Sequence, residues 1–173
     1  MIALTGMPGS GKSTVAQSLG SLRGDRVYDT DRLLHDRHGD LLGANPSEAE
    51  WTVFRTAERQ LVHELAESGH GVLALGGGVW MDRGLRDVLL SHCFCVYLRC
   101  SVDTLLARGA GQDRVMFRSG DRRMVLHNLL DHREKDYELA HLNLAVDYLQ
   151  ADEVAERIVQ QLPSKECGSD GIH

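Results

Sequence analysis

Residues 6–14, Gly-Met-Pro-Gly-Ser-Gly-Lys-Ser-Thr, set one lysine among glycines and hydroxyl side chains. Gly6 to Ser13 matches G-x-x-x-x-G-K-[ST], and the stretch lies between an apolar run and a helical pattern, the context that gives the match its meaning. Glycines let backbone N–H groups turn inward and approach a polyphosphate closely. Lys12 would reach the β and γ oxygens, the Ser13 hydroxyl a Mg2+ ion, and the helix beyond would present its N-terminus to the anion. Gly9, Ser10, Gly11, Lys12, Ser13 and Thr14 therefore form the candidate ATP-binding set. The loop is silent about which molecule accepts the phosphoryl group.

Other residues speak to the acceptor. Asp29-Thr-Asp31 follows an apolar run and would lie at the edge where open α/β sheets bind ligands. One carboxylate can hold the water shell of a metal and the other can take a proton from a hydroxyl nucleophile, although either could instead cap the next helix. Gly76-Gly77-Gly78 follows another apolar run and leaves room for a ligand at the backbone. Residues 109–123 space Arg114, Arg118, Arg122 and Arg123 among glycines and aspartates, which suits a mobile lid closing over phosphates. Arg133 lies further on in a helical pattern, and arginine is suited to bidentate carboxylate recognition.

Five short apolar runs read as strands: Ile2–Thr5, Arg26–Tyr28, Val72–Leu75, Phe94–Leu98 and Asn143–Val146. Helical patterns separate them, at Lys12–Leu22, Arg32–His38, Pro46–Ser68, Arg83–Ser91, Ser101–Arg108, Arg122–Ala140 and Asp152–Leu162. The alternation predicts an α/β domain with a mostly parallel sheet whose strands are buried on both faces. In the longest helix, capped by Asn45 or Ser47 and ended by Gly69, Trp51, Phe54, Glu58, Leu61 and Leu65 share one stripe. Glu58 on an apolar face needs a partner, and Arg55 is three residues away. Trp51, on the same stripe, is expected in the core.

The chain has 173 residues, 42% hydrophobic and 25% charged, with a net charge of −6. This is one domain with a sizeable core, residues 1–163, followed by a polar tail at 164–173 expected to be disordered. The acidic balance argues against nucleic acid as a partner. No stretch has the apolar length of a membrane span, and Met1 leads directly into the first strand without room for a signal peptide. The expectation is a cytoplasmic monomer with reduced, buried thiols at Cys93 and Cys95. His35 and His38 have ligand spacing but lack a third partner.

Taken together, GMPGSGKST (6–14), the D-T-D of Asp29–Asp31, the F-R-x-x-E of Phe54–Glu58, Gly76–Gly78, Arg114, Arg133 and Tyr137 resemble the shikimate kinases in order and spacing over roughly residues 1–160. The resemblance implies a three-layer α/β/α P-loop kinase fold with a five-stranded parallel sheet and a mobile lid. It implies transfer of the γ-phosphoryl of ATP, with Mg2+, to the 3-hydroxyl of shikimate, a small carboxylate-bearing polyol. Carried over, Lys12 and Ser13 serve phosphates and metal, and Asp29 holds the metal through water. Asp31 binds acceptor hydroxyls and is the candidate base. Arg55 and Arg133 clamp the carboxylate with backbone help from Gly77 and Gly78. Glu58 orients Arg55, and Arg114 reaches ATP from the lid. The chain departs from the family pattern in three places: Arg114-Val-Met-Phe117 stands for the lid motif Arg-Pro-Leu-Leu, Lys135 for a proline, and Glu50-Trp51 where Gly-Glu is frequent. Two rival readings are a kinase of another sugar acid (gluconate-type) or of a nucleotide, and a nucleotide-binding regulator without turnover.

Overall fold

The first strand lies in the middle of the sheet. A computed structural model describes residues 1–42, 46–109 and 121–163, and in it five parallel strands take the order β2-β3-β1-β4-β5. They are β1 (Ile2–Thr5), β2 (Val27–Asp29), β3 (Val72–Ala74), β4 (Phe94–Arg99) and β5 (Leu142–Ala145). Among the described residues the helices are α1 (Lys12–Arg23), α2 (Thr30–His38), α3 (Glu48–Ser68), α4 (Arg83–His92), α5 (Val102–Ala107), α6 (Arg122–Tyr137) and α7 (Ala151–Gln161). Helix α1 packs with α7, while α3 packs with α2 and α4. The expected alternation of five strands with helices is therefore present.

Burial separates the centre of the sheet from its edges. Strands β1 and β3 are buried at every position, and β4 from Cys95 to Leu98, because neighbours and helices cover both faces. Ile2 is held from both sides, in register with Val72 of β3 and Phe94 of β4. The edges correct the expectation of wholly buried strands: β2 is half-buried along its length and β5 alternates between half-buried and exposed. Both edge strands also lie one residue away from their expected spans, since one neighbour rather than two fixes an edge. A short 3-10 turn at Val79–Met81, unforeseen in the sequence, joins the glycines after β3 to α4.

Helix α3 begins at Glu48 rather than Pro46, with Ser47 as its cap in a reciprocal capping box. Glu50 donates its N–H to Ser47 Oγ at 3.3 Å, and the Ser47 N–H returns a bond to Glu50 Oε2 at 2.7 Å. The other candidate cap, Asn45, lies outside the described residues. The apolar stripe of α3 holds from Ala57 onward, where Glu58, Leu61 and Leu65 are buried. Trp51 does not join the core and is 38% exposed, because the first turns of α3 project past the packed part of the domain.

Cys93, Cys95 and Cys100 are free and buried, and burial pushes the Cys93 and Cys100 thiols up to about 11. Among the described residues no helix is long and apolar enough to cross a membrane, and no group of three or more His, Cys, Asp or Glu could hold a metal. Most of the expected lid, with Arg114 and Arg118, and the tail at 164–173 lie outside the described residues. Of the other two lid arginines, Arg122 opens α6 and Arg123 pairs with Asp103 at 2.6 Å.

Candidate active site

The phosphate loop runs from the end of β1 to the start of α1. Gly9 and Gly11 have φ of 84° and 95°, in the left-handed region that glycine tolerates best. Gly6 has φ 140°, and a Cβ there would come within 2.8 Å of Leu98 O on the neighbouring strand. Lys12 donates to the carbonyls of Gly6 and Met7, at 3.0 Å each. Ser10 serves the loop itself: its N–H donates to Met7 O at 3.1 Å and its side chain is buried. Thr14 is exposed to the cleft beside the loop.

Beside the loop lies a cleft of about 400 Å³ lined by Lys12, Ser13, Thr14, Asp29 and Asp31. Ser13 Oγ donates to Asp29 Oδ2 at 2.5 Å, so β2 and α1 bring a hydroxyl and a carboxylate together at the cleft floor. Asp29 also caps α2, accepting from Arg32 N at 3.2 Å through Oδ1. The capping role thus falls to Asp29 while the helix starts at Thr30, and Asp31 sits in its first turn with its carboxylate facing the cleft.

The three glycines after β3 are where Asp31, Arg55 and Arg133 meet. Thr30 Oγ1 accepts from Gly76 N at 2.7 Å and fastens the start of α2 to this turn. The Asp31 carboxylate fills the space a Cβ on Gly76 would need. Arg133 donates to Gly77 O at 3.1 Å. The Arg55 guanidinium lies over Gly78, with Nη1 only 2.6 Å from where a Cβ would be. Gly76, Gly77 and Gly78 are absent from the positive-φ glycines, so it is clearance rather than backbone freedom that Gly76 and Gly78 supply. Helices α2, α3 and α6, distant in sequence, each deliver one charged side chain to one turn.

Glu58 pairs with Arg55 as its position on the stripe demands. Burial pushes the Glu58 carboxyl above its ordinary value, Arg55 draws it back by charge and hydrogen bond, and the charges of Asp31 and Asp82 add to the rise. Behind the clamp a second set of bonds fixes its frame. Arg59 on α3 reaches Asp82 Oδ2 at 2.6 Å, and Asp82 caps α4 by accepting from Leu85 N at 3.2 Å. The buried Trp80 indole donates to Asp136 O at 2.6 Å, and Arg86 joins Trp80 O at 3.0 Å to Asp136 Oδ1 at 3.2 Å. Asp136 lies one turn beyond Arg133. Tyr137 is buried and stacks on Tyr97 with ring centroids 4.9 Å apart.

The sequence pattern gives Arg108 only as the end of a helix, yet it bridges the phosphate loop and the loop after β5. It donates to Ser10 O at 3.1 Å and to Val146 O at 3.0 Å. With Val146, Leu149, Gln150 and Val154 it lines a second cleft of about 210 Å³ next to Gly11 and Thr14. The loop after β5 leaves the same sheet edge as the phosphate loop, and that placement was the available signal.

A family model described as shikimate kinase matches residues 8–163. The chain is similar to a shikimate kinase of Salinibacter ruber, 34% identical over 169 residues that cover 92% of this chain and 82% of the relative. It is also similar to one of Zymomonas mobilis, 30% identical over 163 residues covering 94% and 93%. Among solved structures it is similar to the shikimate kinase of Acinetobacter baumannii in complex with shikimate, with TM-score 0.83, 30% identity, and coverage of 92% and 90%.

Proposed function

This chain belongs to the shikimate kinase family, and on that footing we infer that it moves the γ-phosphoryl group of ATP to the 3-hydroxyl of shikimate, in aromatic amino-acid biosynthesis. The observation that carries the reading is the meeting of Asp31, Arg133 and Arg55 on Gly76–Gly78, beside a phosphate loop at the same sheet edge. Two arginines suit a carboxylate, which they fix in charge and orientation. Asp31 suits the acceptor hydroxyl: it takes the proton as the oxygen attacks the γ-phosphorus and the bond to the β-bridging oxygen breaks, releasing ADP. Gly77 and Gly78 border the acceptor, and Lys12 neutralises charge on the phosphates.

Ser13 Oγ offers a hard oxygen donor of the kind Mg2+ takes, and Asp29, bonded to it, would hold the ion through water, with the remaining positions left to phosphate and water, so the pair fits the ion. When bound, Mg2+ neutralises charge on the β and γ oxygens. The second cleft, beneath Arg108, suits the nucleoside of ATP. The resemblance implies a further contact to ATP from Arg114.

The test is coupled ADP release with Mg·ATP, comparing shikimate with quinate, gluconate and nucleoside monophosphates. Saturable turnover with shikimate alone is expected. Protein that binds ATP but turns over another acid, or none, overturns the reading.

A further inference from the structure

Trp51 is exposed, yet it is not idle. Its ring meets Phe54 edge-on, with centroids 5.9 Å apart and planes at 85°. The Arg55 guanidinium carbon lies 5.4 Å from the centroid of each ring. Side chains on a helix lean toward its N-terminus, so Arg55 is drawn back over the residue four before it. The guanidinium is thus bounded by the Gly78 backbone, the Glu58 carboxylate and two aromatic rings. Among the described residues Glu58 is the one hydrogen-bond partner of this guanidinium. The rings take up none of its remaining N–H donors, and those stay available to a ligand.

We propose that Trp51 is a positioning residue for acceptor recognition, holding the Arg55 fork against Gly78 so that its unused donors present to the acceptor carboxylate. The inference rests on the acceptor reading above. An unbraced arginine side chain has substantial rotamer entropy to lose on binding. A ring face removes part of that loss in advance, and tryptophan is the strongest such face. Glu58 fixes one edge of the fork, and Trp51 with Phe54 fixes its tilt. Because the contact acts on a binding group remote from the transferred phosphoryl, its loss weakens ground and transition states alike and shows in KM rather than kcat.

The experiment compares wild type with Trp51→Ala and Trp51→Phe in steady-state kinetics, together with a fluorescence titration with shikimate. Trp51→Ala raises the shikimate KM about three- to tenfold, a cation–π loss at a partly exposed site, and leaves kcat and the ATP KM nearly unchanged. Trp51→Phe, which keeps a ring, recovers most of that loss. The other tryptophan, Trp80, is fully buried, so shikimate alters the wild-type emission and the change is lost in Trp51→Phe. An unaltered shikimate KM in Trp51→Ala overturns the proposal, as does a parallel fall in ATP use. A KM rise that Trp51→Phe fails to reverse marks lost packing instead of a lost ring and also overturns it. A wild-type protein without shikimate turnover removes the acceptor reading itself. Turnover with a silent Trp51 removes only this inference.

Discussion

Lys12 donates to the carbonyls of its own loop, Gly6 and Met7. On the proposed reading these bonds hold the ammonium at the phosphate loop, where ATP would offer it stronger acceptors. Lys12→Ala keeps the fold and lowers kcat by roughly 10²–10³ or more, the scale of losing one preorganised charge contact in a transition state. Coupled ADP release checks this, and a near-normal kcat would take Lys12 out of the reaction. Glu58 poses the opposite case, a residue whose charge the fold dislikes. Its carboxyl titrates above its ordinary value in the folded chain, chiefly through burial. The stability it contributes is then full below its unfolded value and lost as pH rises through the folded one. Glu58→Gln should hold or raise Tm near neutral pH, and the gap from wild type should close in acid. The same variant frees Arg55 and raises the shikimate KM about tenfold, near 1.5 kcal/mol for a charged hydrogen bond. A Gln variant that melts lower at neutral pH would contradict the sign.

Helix α6, which holds Arg133 over Gly77, has its last turn tied down by Trp80 and Arg86. Trp80→Phe keeps most of the ring and removes the N–H that reaches Asp136 O. It should cost about 0.5–1.5 kcal/mol for the lost hydrogen bond, since Asp136 O keeps its bond from Leu139 N at 3.3 Å, with a further loss for the smaller ring in a full core. It should also raise the shikimate KM more than the ATP KM, because α6 serves the acceptor side; equal effects on both would refute the link. At this scale the legibility of the sequence was uneven for physical reasons. The phosphate loop, the Asp29–Asp31 pair and Arg55 with Glu58 could be read because each is a local run whose spacing states its chemistry. Central strands could be read because two neighbours enforce apolarity on both faces. Trp51 misled, since periodicity says which residues share a stripe and not where that stripe leaves the core. Arg108 was invisible because its partners, Ser10 and Val146, lie 98 and 38 residues away. The tie from Trp80 to Asp136 crosses 56 residues and gave no local sign either.

Across the whole molecule, burial and ligand binding act on the same opening equilibrium. Cys93, Cys95 and Cys100 are buried and their thiols are pushed up, so they react with a thiol reagent only when the chain opens. A ligand that binds only the folded state at about 100 times its Kd should slow that reaction about 100-fold. Modification of these three thiols followed by mass spectrometry with and without Mg·ATP checks this; reaction indifferent to nucleotide would mean local exposure. The sheet order has a further consequence, one of timing. Strand β1 leaves the ribosome ahead of its hydrogen-bonded neighbours β3 and β4, and β4 ends at Arg99. At about 5–20 residues per second, synthesis of that stretch takes on the order of 5–20 s. Until it ends, Ile2–Thr5 lacks at least one of its two strand neighbours and the sheet edge that carries Lys12 is incomplete. The phosphate loop is thus made well before the strands that give it shape, and a nascent chain becomes able to hold ATP only once β4 has joined the sheet.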